Sequence, residues 1–556
     1  MAGETARTKM LRRWKALESE RSSWVTHWRD ISDNLLPRSG RFFLSDRNRG
    51  ERRHNNIYDS TGTRALRVLA AGLMAGMTSP ARPWFRLTTS DPDMDESAAV
   101  KQWLKDVRTQ MLMVFSRSNT YRALHSMYEE LGAFGTAASV VVPDYRTVIH
   151  HHPLTAGQYC IAEGADGRVN TLYREFSMSV VQMVREFGYQ NCSRTVRNMY
   201  DRGHLDQFVD LYHVIEQRAD RDLSKLDGSN MPYRSCYFEK GGDGDDVLRE
   251  SGYREFIGIC PRWAVSGGDI YGNSPAMEAL GDIKQLQHEQ LRKAQAIDYQ
   301  TKPPLQAPTS AKNSGVNSLP GGVTYVDPGN PQGGIRTAFE VNLNLQYLRE
   351  DIMDVRERIR AAFHADMFLM LANNTTGQMT ATEVAERHEE KLLMLGPVLE
   401  RLHNEMLSPM IDMTFQRMVE AGAVPPPPEE LQGKELSVEF VSMLAQAQRA
   451  VATASIDRFV GNLGAVAGIK PDVLDKFDAD KWADTYADAL GVDPDLIVPG
   501  EQVALIRQAR AEAAAQAQQA QNAAMAVDAA AKLGGVNTAQ PNLLQDVTQA
   551  FSGYST

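Results

Sequence analysis

The sequence predicts an α+β chain, mostly helical, organised around two long helices that bracket a short Pro/Gly-rich insert. Three observations carry that reading. An apolar stripe of Met277, Leu280, Ile283, Leu286, Leu291, Ala294 and Ile297 follows the spacing of one helix face. A second seam, Leu345, Leu348, Ile352, Val355 and Ile359, alternates steps of three and four, with Arg349, Glu350, Asp354, Arg356, Glu357, Arg358 and Arg360 off it in the manner of a coiled coil. Alternating or β-branched runs at Val140–Pro143, Val148–His151, Val169–Glu175 and Phe208–Glu216 supply strands.

Residues 1–67 carry 15 Lys/Arg against 8 Asp/Glu, although the whole chain of 556 residues has a net charge of -10. Trp14, Leu17, Trp24, Trp28, Ile31 and Leu35 recur at helical spacing before Pro37. An amphipathic helix with a basic outer face is expected, packing its tryptophans on the body rather than meeting an acidic partner. An Ala/Gly-rich helix follows over Thr61–Met77, where Gly72 and Gly76, four apart, let another backbone approach closely. Residues 97–135 read as helical, and GGDGDD at 241–246 as a hairpin tip. Ser274-Pro275 is a helix start, because Ser caps the first free N–H groups and Pro at the first position loses nothing.

That first long helix should stop before Pro303-Pro304, giving about 27 residues and roughly 40 Å. The insert carries a short strand at Gly322–Val326, and the second long helix begins near Asn342. A polar loop, LANNTTGQM at 371–379, comes next. Thr380 and Glu383 form a capping box opening a helix that reaches Ala421, kinked at Pro397 and Pro409 and ended by Gly422. Four prolines at 425–428 make a rigid spacer. A strand at 437–441, helices at 443–467 and 472–490, an Ala/Gln-rich helix at 501–532 and a polar tail complete the chain.

Composition and motifs exclude several functions. A protein that grips DNA by its phosphates would more often be basic, so the acidic balance argues against gripping DNA but not against passing it. Cys160, Cys192, Cys236 and Cys260 form no C-x-x-C pair and read as reduced, buried thiols. The N-terminus lacks the apolar core of a signal peptide, and the longest apolar stretch, Val68–Met77, is too short to span a bilayer. A protein made and kept in a cytoplasm, or in a particle assembled there, is expected. No phosphate-binding loop occurs: Gly461, Gly464 and Gly468 lead to Ile469-Lys470 with the wrong spacing. His288-Glu289 and His388-Glu389 lack a second histidine, and no G-x-S-x-G is present. Only two of His150, His151 and His152 can share a strand face, so no metal site is expected. No catalytic residue and no cofactor are expected either.

Five blocks in fixed order resemble the portal, or head-to-tail connecting, family of short-tailed bacteriophages. They are YDSTGTRALRVLAAGLMAGMTSPARPWFRL at 58–87, NTYRALHSMYEELGAFGTAASVV at 119–141, YGNSPAMEALGDIKQLQHEQ at 271–290, TATEVAERHEEKLLMLGPVLERLHNEMLSPMI at 380–411 and LAQAQRA at 444–450. The resemblance implies a non-enzymatic ring, normally of twelve subunits, at one capsid vertex of a virion assembled in the host cytoplasm. It implies a wing at 1–270, completed by a kinked helix and return strand at 380–440. The stem helices would be 271–301 and 342–365, with a clip at 302–341 and a channel loop at 366–379. A crown at 441–500, a barrel helix at 501–533 and a flexible tail at 534–556 would follow. The implied partners are the terminase large subunit, the tail adaptor or head completion protein, the major capsid and scaffold proteins, and double-stranded DNA read without sequence specificity; no membrane is implied. Asn373, Asn374, Thr375, Thr376, Gly377 and Gln378 would face the DNA, and an acidic ring would keep the duplex near its axis. The competing readings are an enzyme, or another virion component such as a scaffold or internal core protein.

Overall fold

The computed structural model describes residues 5–42, 56–89, 97–222, 224–225, 227–242, 246–306, 336–337, 345–372, 395–431, 436–440, 456, 458–468, 470–490, 498 and 500–533. They fall in two units, Met1–Gln448 and Arg449–Thr556.

The first unit opens with α1 (Ala6–Asn34), α2 (Thr61–Met77), β1 (Phe85–Thr89), α3 (Ala98–Arg117) and α4 (Thr120–Phe134). A β-rich stretch follows: β2 (Ala138–Asp144), β3 (Val148–Leu154), β4 (Tyr159–Glu163) and β5 (Val169–Ser179). After α5 (Val180–Phe187) and α6 (Arg194–Asp201) come β6 (Phe208–Gln217), β7 (Tyr233–Glu239), β8 (Arg249–Tyr253) and β9 (Gly258–Ile259). The long helix α7 (Pro275–Thr301) leads to the short strands β10 (Leu305–Gln306) and β11 (Arg336–Thr337). Then follow α8 (Leu345–Ala362), α9 (Ala365–Ala372), α10 (395–402), a π turn at His403–Leu407, α11 (Ser408–Glu420) and β12 (Leu436–Phe440).

Strands β4 to β8 form a five-stranded antiparallel meander in chain order. Strands β3, β2 and β9 make a second sheet, and β1 pairs antiparallel with β12, Phe85 opposite Phe440. The four strands expected from sequence lie within β2, β3, β5 and β6, and the expected strand at 437–441 is β12 shifted by one residue. The GGDGDD segment joins the antiparallel β7 and β8, the arrangement of a hairpin, although 243–245 lie outside the described residues. The helical stretch expected over 97–135 is two helices, α3 and α4, because Ser118 leaves helical geometry with ψ -177°.

Helix α1 shows how the sequence seats the sheet. Trp14 packs on Tyr173 and Tyr212, and Trp28 is fully buried with its indole N–H donating to the carbonyl of Phe134 at 3.0 Å. The tryptophans face the body, as expected. The basic face is only partly solvated, however, since Arg7 and Arg21 are buried. Arg7 donates to the carbonyls of Glu239 (3.0 Å) and Gly242 (2.6 Å), and Arg21 to those of Gly157 (3.1 Å) and Tyr159 (2.5 Å). Long guanidinium side chains thus satisfy strand-end carbonyls that would otherwise be orphaned.

At the end of α4, Gly135 has φ +74°, and a Cβ there would lie 2.1 Å from the carbonyl oxygen of Gly272. Only glycine permits both the left-handed turn and this approach of two backbones. One turn earlier, Glu130 accepts from Thr155 Oγ1 (2.7 Å) and the N–H of Ala156 (3.1 Å). Burial pushes its carboxyl up to about 7, against the lowering effect of those two hydrogen bonds. The folded-state value is raised, so this contribution to stability is fully present below about pH 4.5 and is lost as pH rises through about 7. Glu130→Gln is expected to remove that loss. Between pH 4.5 and pH 8 the variant should gain about 3 kcal/mol on the parent in denaturant melts. A constant difference across that range would show that Glu130 ionises freely in the fold.

The second unit contains α12 (458–467), a 3-10 turn at Pro471–Lys476, α13 (Ala479–Leu490) and α14 (Gly500–Leu533). The helix expected over 472–490 therefore begins later, at Ala479. Asp478 caps that helix, its carboxylate accepting from the N–H groups of Asp480 (3.2 Å) and Lys481 (3.0 Å). Helix α14 agrees with the Ala/Gln-rich helix read from sequence, and Leu505 and Ile506 on it are exposed. The expected strand at 322–326, the capping box at Thr380 and Glu383, the segment 443–455 and the tail 534–556 lie outside the described residues. No helix among the described residues is long and apolar enough to cross a membrane.

Candidate functional site: the paired long helices and their junction

Helix α7 starts inside the core. Ser274 is fully buried; its hydroxyl donates to the carbonyl of Ala133 (2.8 Å) and accepts from the N–H of Met277 (3.1 Å). Pro275 occupies the first turn, as the sequence predicts. Met277, Leu280, Ile283 and Leu286 are buried, but the stripe does not continue inward: Ala294 is exposed and Ile297 is 40% exposed. Helix α7 packs on α1, α4 and α8.

Helix α8 answers with Ile352, Val355 and Ile359, all buried, while Leu348 is half-buried. Leu345 opens the helix, and its side chain lies outside the described residues. The charged residues lie off the seam, where Arg358 bridges Asp354 (3.0 Å) and Asp282 of α7 (3.3 Å). Beyond the helices, β10 pairs with β11. The chain segment between them therefore leaves and returns at one point.

A polar junction missed by sequence reasoning clamps both helices to the N-terminal part of the chain. Gln287 accepts from the N–H groups of Tyr58 (2.6 Å) and Asp59 (2.8 Å) and donates to the carbonyl of Asp59 (2.9 Å). The Asp59 carboxylate accepts from Gln290 on α7 (3.0 Å), Arg356 on α8 (2.6 and 3.1 Å) and Thr61 at the start of α2 (2.8 and 2.5 Å). Burial alone would raise its pKa, but the Thr61 hydrogen bonds and Arg356 outweigh that and hold it below the usual carboxylate range. The available signal was Asp-x-Thr before an apolar helix, a capping pattern.

Helix α8 ends at a backbone break where His364 has φ +52°. The chain then re-enters helix as α9, so 366–372 is helical where a channel loop is expected from 366 onward. Met367 and Phe368 are buried, and that burial makes helix favourable there. Phe368 lies over Gly72 of α2, where a Cβ would fall 2.2 Å from its ring. At Gly72 the close approach is thus that of a bulky side chain and not of the backbone expected. Asn373, Asn374, Thr375, Thr376, Gly377 and Gln378 lie outside the described residues.

Pro409 has no N–H to give the carbonyl of Glu405, and the backbone widens into the π turn His403–Leu407 just before it. That turn presents Glu405 to Arg262, which is 2% exposed. Arg262 donates to Glu405 through its backbone N–H (2.9 Å), Nε (3.3 Å) and Nη2 (2.8 Å), and through Nη1 to Glu163 (3.0 Å). Its Nη2 also reaches the carbonyl of Gly167 at 2.8 Å. The five-stranded sheet and the α10–α11 rod are joined there.

In β3, His151 is buried while His150 and His152 share the other face, their rings 4.8 Å apart. Among the described residues no group of His, Cys, Asp and Glu could hold a metal ion. All four cysteines are buried, and burial raises the thiol pKa of each. The polar groups around the paired helices are engaged in bonds that hold elements together.

The family model described as bacteriophage head to tail connecting protein matches residues 7–498. The chain belongs to the head-to-tail connecting family. It is 69% identical over all of its length to the probable portal protein of Bordetella phage BPP-1, with all of that protein covered. It is 46% identical over 98% of its length to the portal protein of Salmonella phage epsilon15, with 99% of that protein covered. As a member of this family the chain is a structural component of the virion's portal vertex and not an enzyme. Among solved structures, a chain of the native gene transfer agent virion is similar at 11% identity and a TM-score of 0.33, over 78% of this chain and 90% of that one. A chain from the neck of an empty gene transfer agent particle gives 11% and 0.34, over 82% and 96%.

Proposed function

We propose that the chain is the portal subunit of a short-tailed phage. Twelve copies close into a ring that conducts DNA during packaging and ejection. The observation that carries this reading is full-length similarity to two phage portal proteins, at 69% and 46% identity. Within the ring, α7 and α8 are the stem, with Leu345, Leu348, Ile352, Val355 and Ile359 as its internal seam. The segment 302–341 between them is the clip, which docks the terminase large subunit and later the tail adaptor. The shared exit and return of this segment, beside two helices clamped at Asp59, supports a tip held out on a stalk. Residues 1–270 with 380–440 are the wing, facing the capsid and scaffold proteins. The crown covers 441–500 and α14 is the barrel helix, whose exposed side chains suit a bundle of copies.

The DNA-facing loop is 373–378, following α9. Its side chains are uncharged, so they touch phosphates by hydrogen bonds without the salt-dependent affinity that each Lys or Arg would add. A ring of chains each carrying net charge -10 repels the duplex toward its axis. Mass photometry and electron microscopy of the purified protein should find closed rings of twelve 61.8 kDa chains, about 0.7 MDa. In packaged heads, Asn373→Lys with Asn374→Lys should slow DNA passage, most strongly at low salt, and the Asp pair should weaken DNA retention. Monomers or dimers alone at micromolar concentration would overturn the ring. Unchanged packaging with both charge signs would remove the loop from the channel.

A further inference from the structure

The five-stranded sheet buries a charge that has no counter-charge among the described residues. Arg174 on β5 is 8% exposed. Its Nε donates to His213 Nδ1 at 2.9 Å, its guanidinium lies 4.8 Å from the centre of the Phe176 ring, and it makes no ion pair among the described residues. His213 cannot serve as the counter-charge. It is fully buried, its Nε2 bonds to Ser235 Oγ at 3.0 Å, and its ring stacks on Tyr237 at 3.8 Å. Burial first, and Arg174 second, push its pKa well below the ordinary value, so it stays neutral.

Beyond Nε, the guanidinium lines an open pocket of about 470 Å³ with His152, Phe176, Met178, Gln182, Arg185 and Glu186. Glu186 is engaged by Arg249 at 2.9 Å, and Arg185 is exposed. Burial, and then the charge of Arg174, depress His152 to about 4, as a site of positive potential requires. The fork faces this open pocket without a carboxylate or carbonyl acceptor among the described residues, and an oxyanion matches its geometry.

We infer that this pocket receives a carboxylate side chain from a second copy of the chain, bound through the Arg174 fork with Arg185 at the rim. The inference rests on self-association, which the portal reading supplies. Charge complementarity favours this occupant, since each copy carries 70 acidic against 60 basic residues and so has carboxylates to spare. The apolar walls of Phe176 and Met178 suit the methylene stem of Asp or Glu, whereas a free hydrated ion would gain nothing from them. A cyclic ring joins unlike patches of neighbouring subunits, so one subunit can supply the basic pocket and the next the acid.

The test compares wild type, Arg174→Met and Arg185→Gln by mass photometry across concentration, with denaturant melts of the unassembled chain. Arg174→Met removes the unpaired charge but keeps an apolar stem beside Phe176. The unassembled variant gives up the Nε donation to buried His213 and should melt slightly earlier than wild type, while its assembly midpoint, read where both are fully folded, rises at least about tenfold. Arg185→Gln, at an exposed position, should raise the midpoint less. Electron microscopy of wild-type rings should place an Asp or Glu of the neighbouring copy against the Arg174 guanidinium. Rings of Arg174→Met forming at the wild-type midpoint would overturn the pocket while leaving the portal reading intact. Loss of assembly only in step with earlier unfolding would assign Arg174 a purely internal role. A free phosphate in the density in place of a neighbour's carboxylate would overturn the occupant. A wild type that stays monomeric at tens of micromolar would overturn the portal reading and the second-copy occupant together.

Discussion

Ile352→Asp is expected to separate the two long helices and abolish assembly. Ile352 is 2% exposed in the seam between α7 and α8, beside fully buried Val355 and Ile359. The nearby Arg356 is held by Asp59 and Arg358 by Asp354 and Asp282, so neither is free to pair with a carboxylate there. The ionised form would cost several kcal/mol, more than a helix pair can absorb. Leu348→Asp should be milder, because Leu348 is half-buried. Met353→Asp, one residue away and 63% exposed, should change stability by no more than about 0.5 kcal/mol. Mass photometry for assembly and circular dichroism melts for the fold separate the three. Intact rings from Ile352→Asp would mean that the seam is open and that the helix faces are wrongly assigned.

The second large effect is expected at Glu405. Glu405→Ala leaves the Arg262 guanidinium buried with Glu163 as its remaining anion and should destabilise the first unit by about 3–5 kcal/mol in denaturant melts. Arg262→Met combined with Glu405→Ala should cost less than Glu405→Ala alone, because most of the penalty is the stranded charge rather than the lost attraction. A double variant as unstable as the sum of the two singles would show the pair to be independent. The network would then be an accident of proximity and not the tie between the sheet and the α10–α11 rod.

The parts legible in the sequence were those whose cause is local. Ser274-Pro275 capped α7 as expected, and Ile352, Val355 and Ile359 are buried at the expected spacing, because a helix face is encoded within a few residues. The family was legible because five blocks keep their order, and the match over residues 7–498 bears that out. The Asp59 junction was not legible, since its partners Gln287, Gln290 and Arg356 stand 228 to 297 residues away. Nor was the Arg262–Glu405 tie, 143 residues apart and dependent on a π turn that no periodicity announces. Strand β7 escaped because both of its faces are covered. Cys236 and Phe238 join the cluster around Trp14 and Tyr237 joins the one around α5, so no apolar-polar alternation remains to be read. The later half of α7 was misjudged for the opposite reason: Ala294 and Ile297 continue the apolar period but are exposed among the described residues.

The pairing of β1 with β12 also sets a schedule for synthesis. Phe85–Thr89 has Leu436–Phe440 as its partner among the described strands, about 350 residues later in the chain. At roughly 5–20 residues per second, that interval lasts on the order of 20–70 s on the ribosome. Throughout it, the edge of β1 is open next to the aromatic cluster of Trp84, Phe85 and Phe115. An unpaired strand edge is a template for association between chains. A shortened chain that ends before Phe440 would keep that edge for its lifetime, so any truncation meant to isolate the first unit has to be made beyond it.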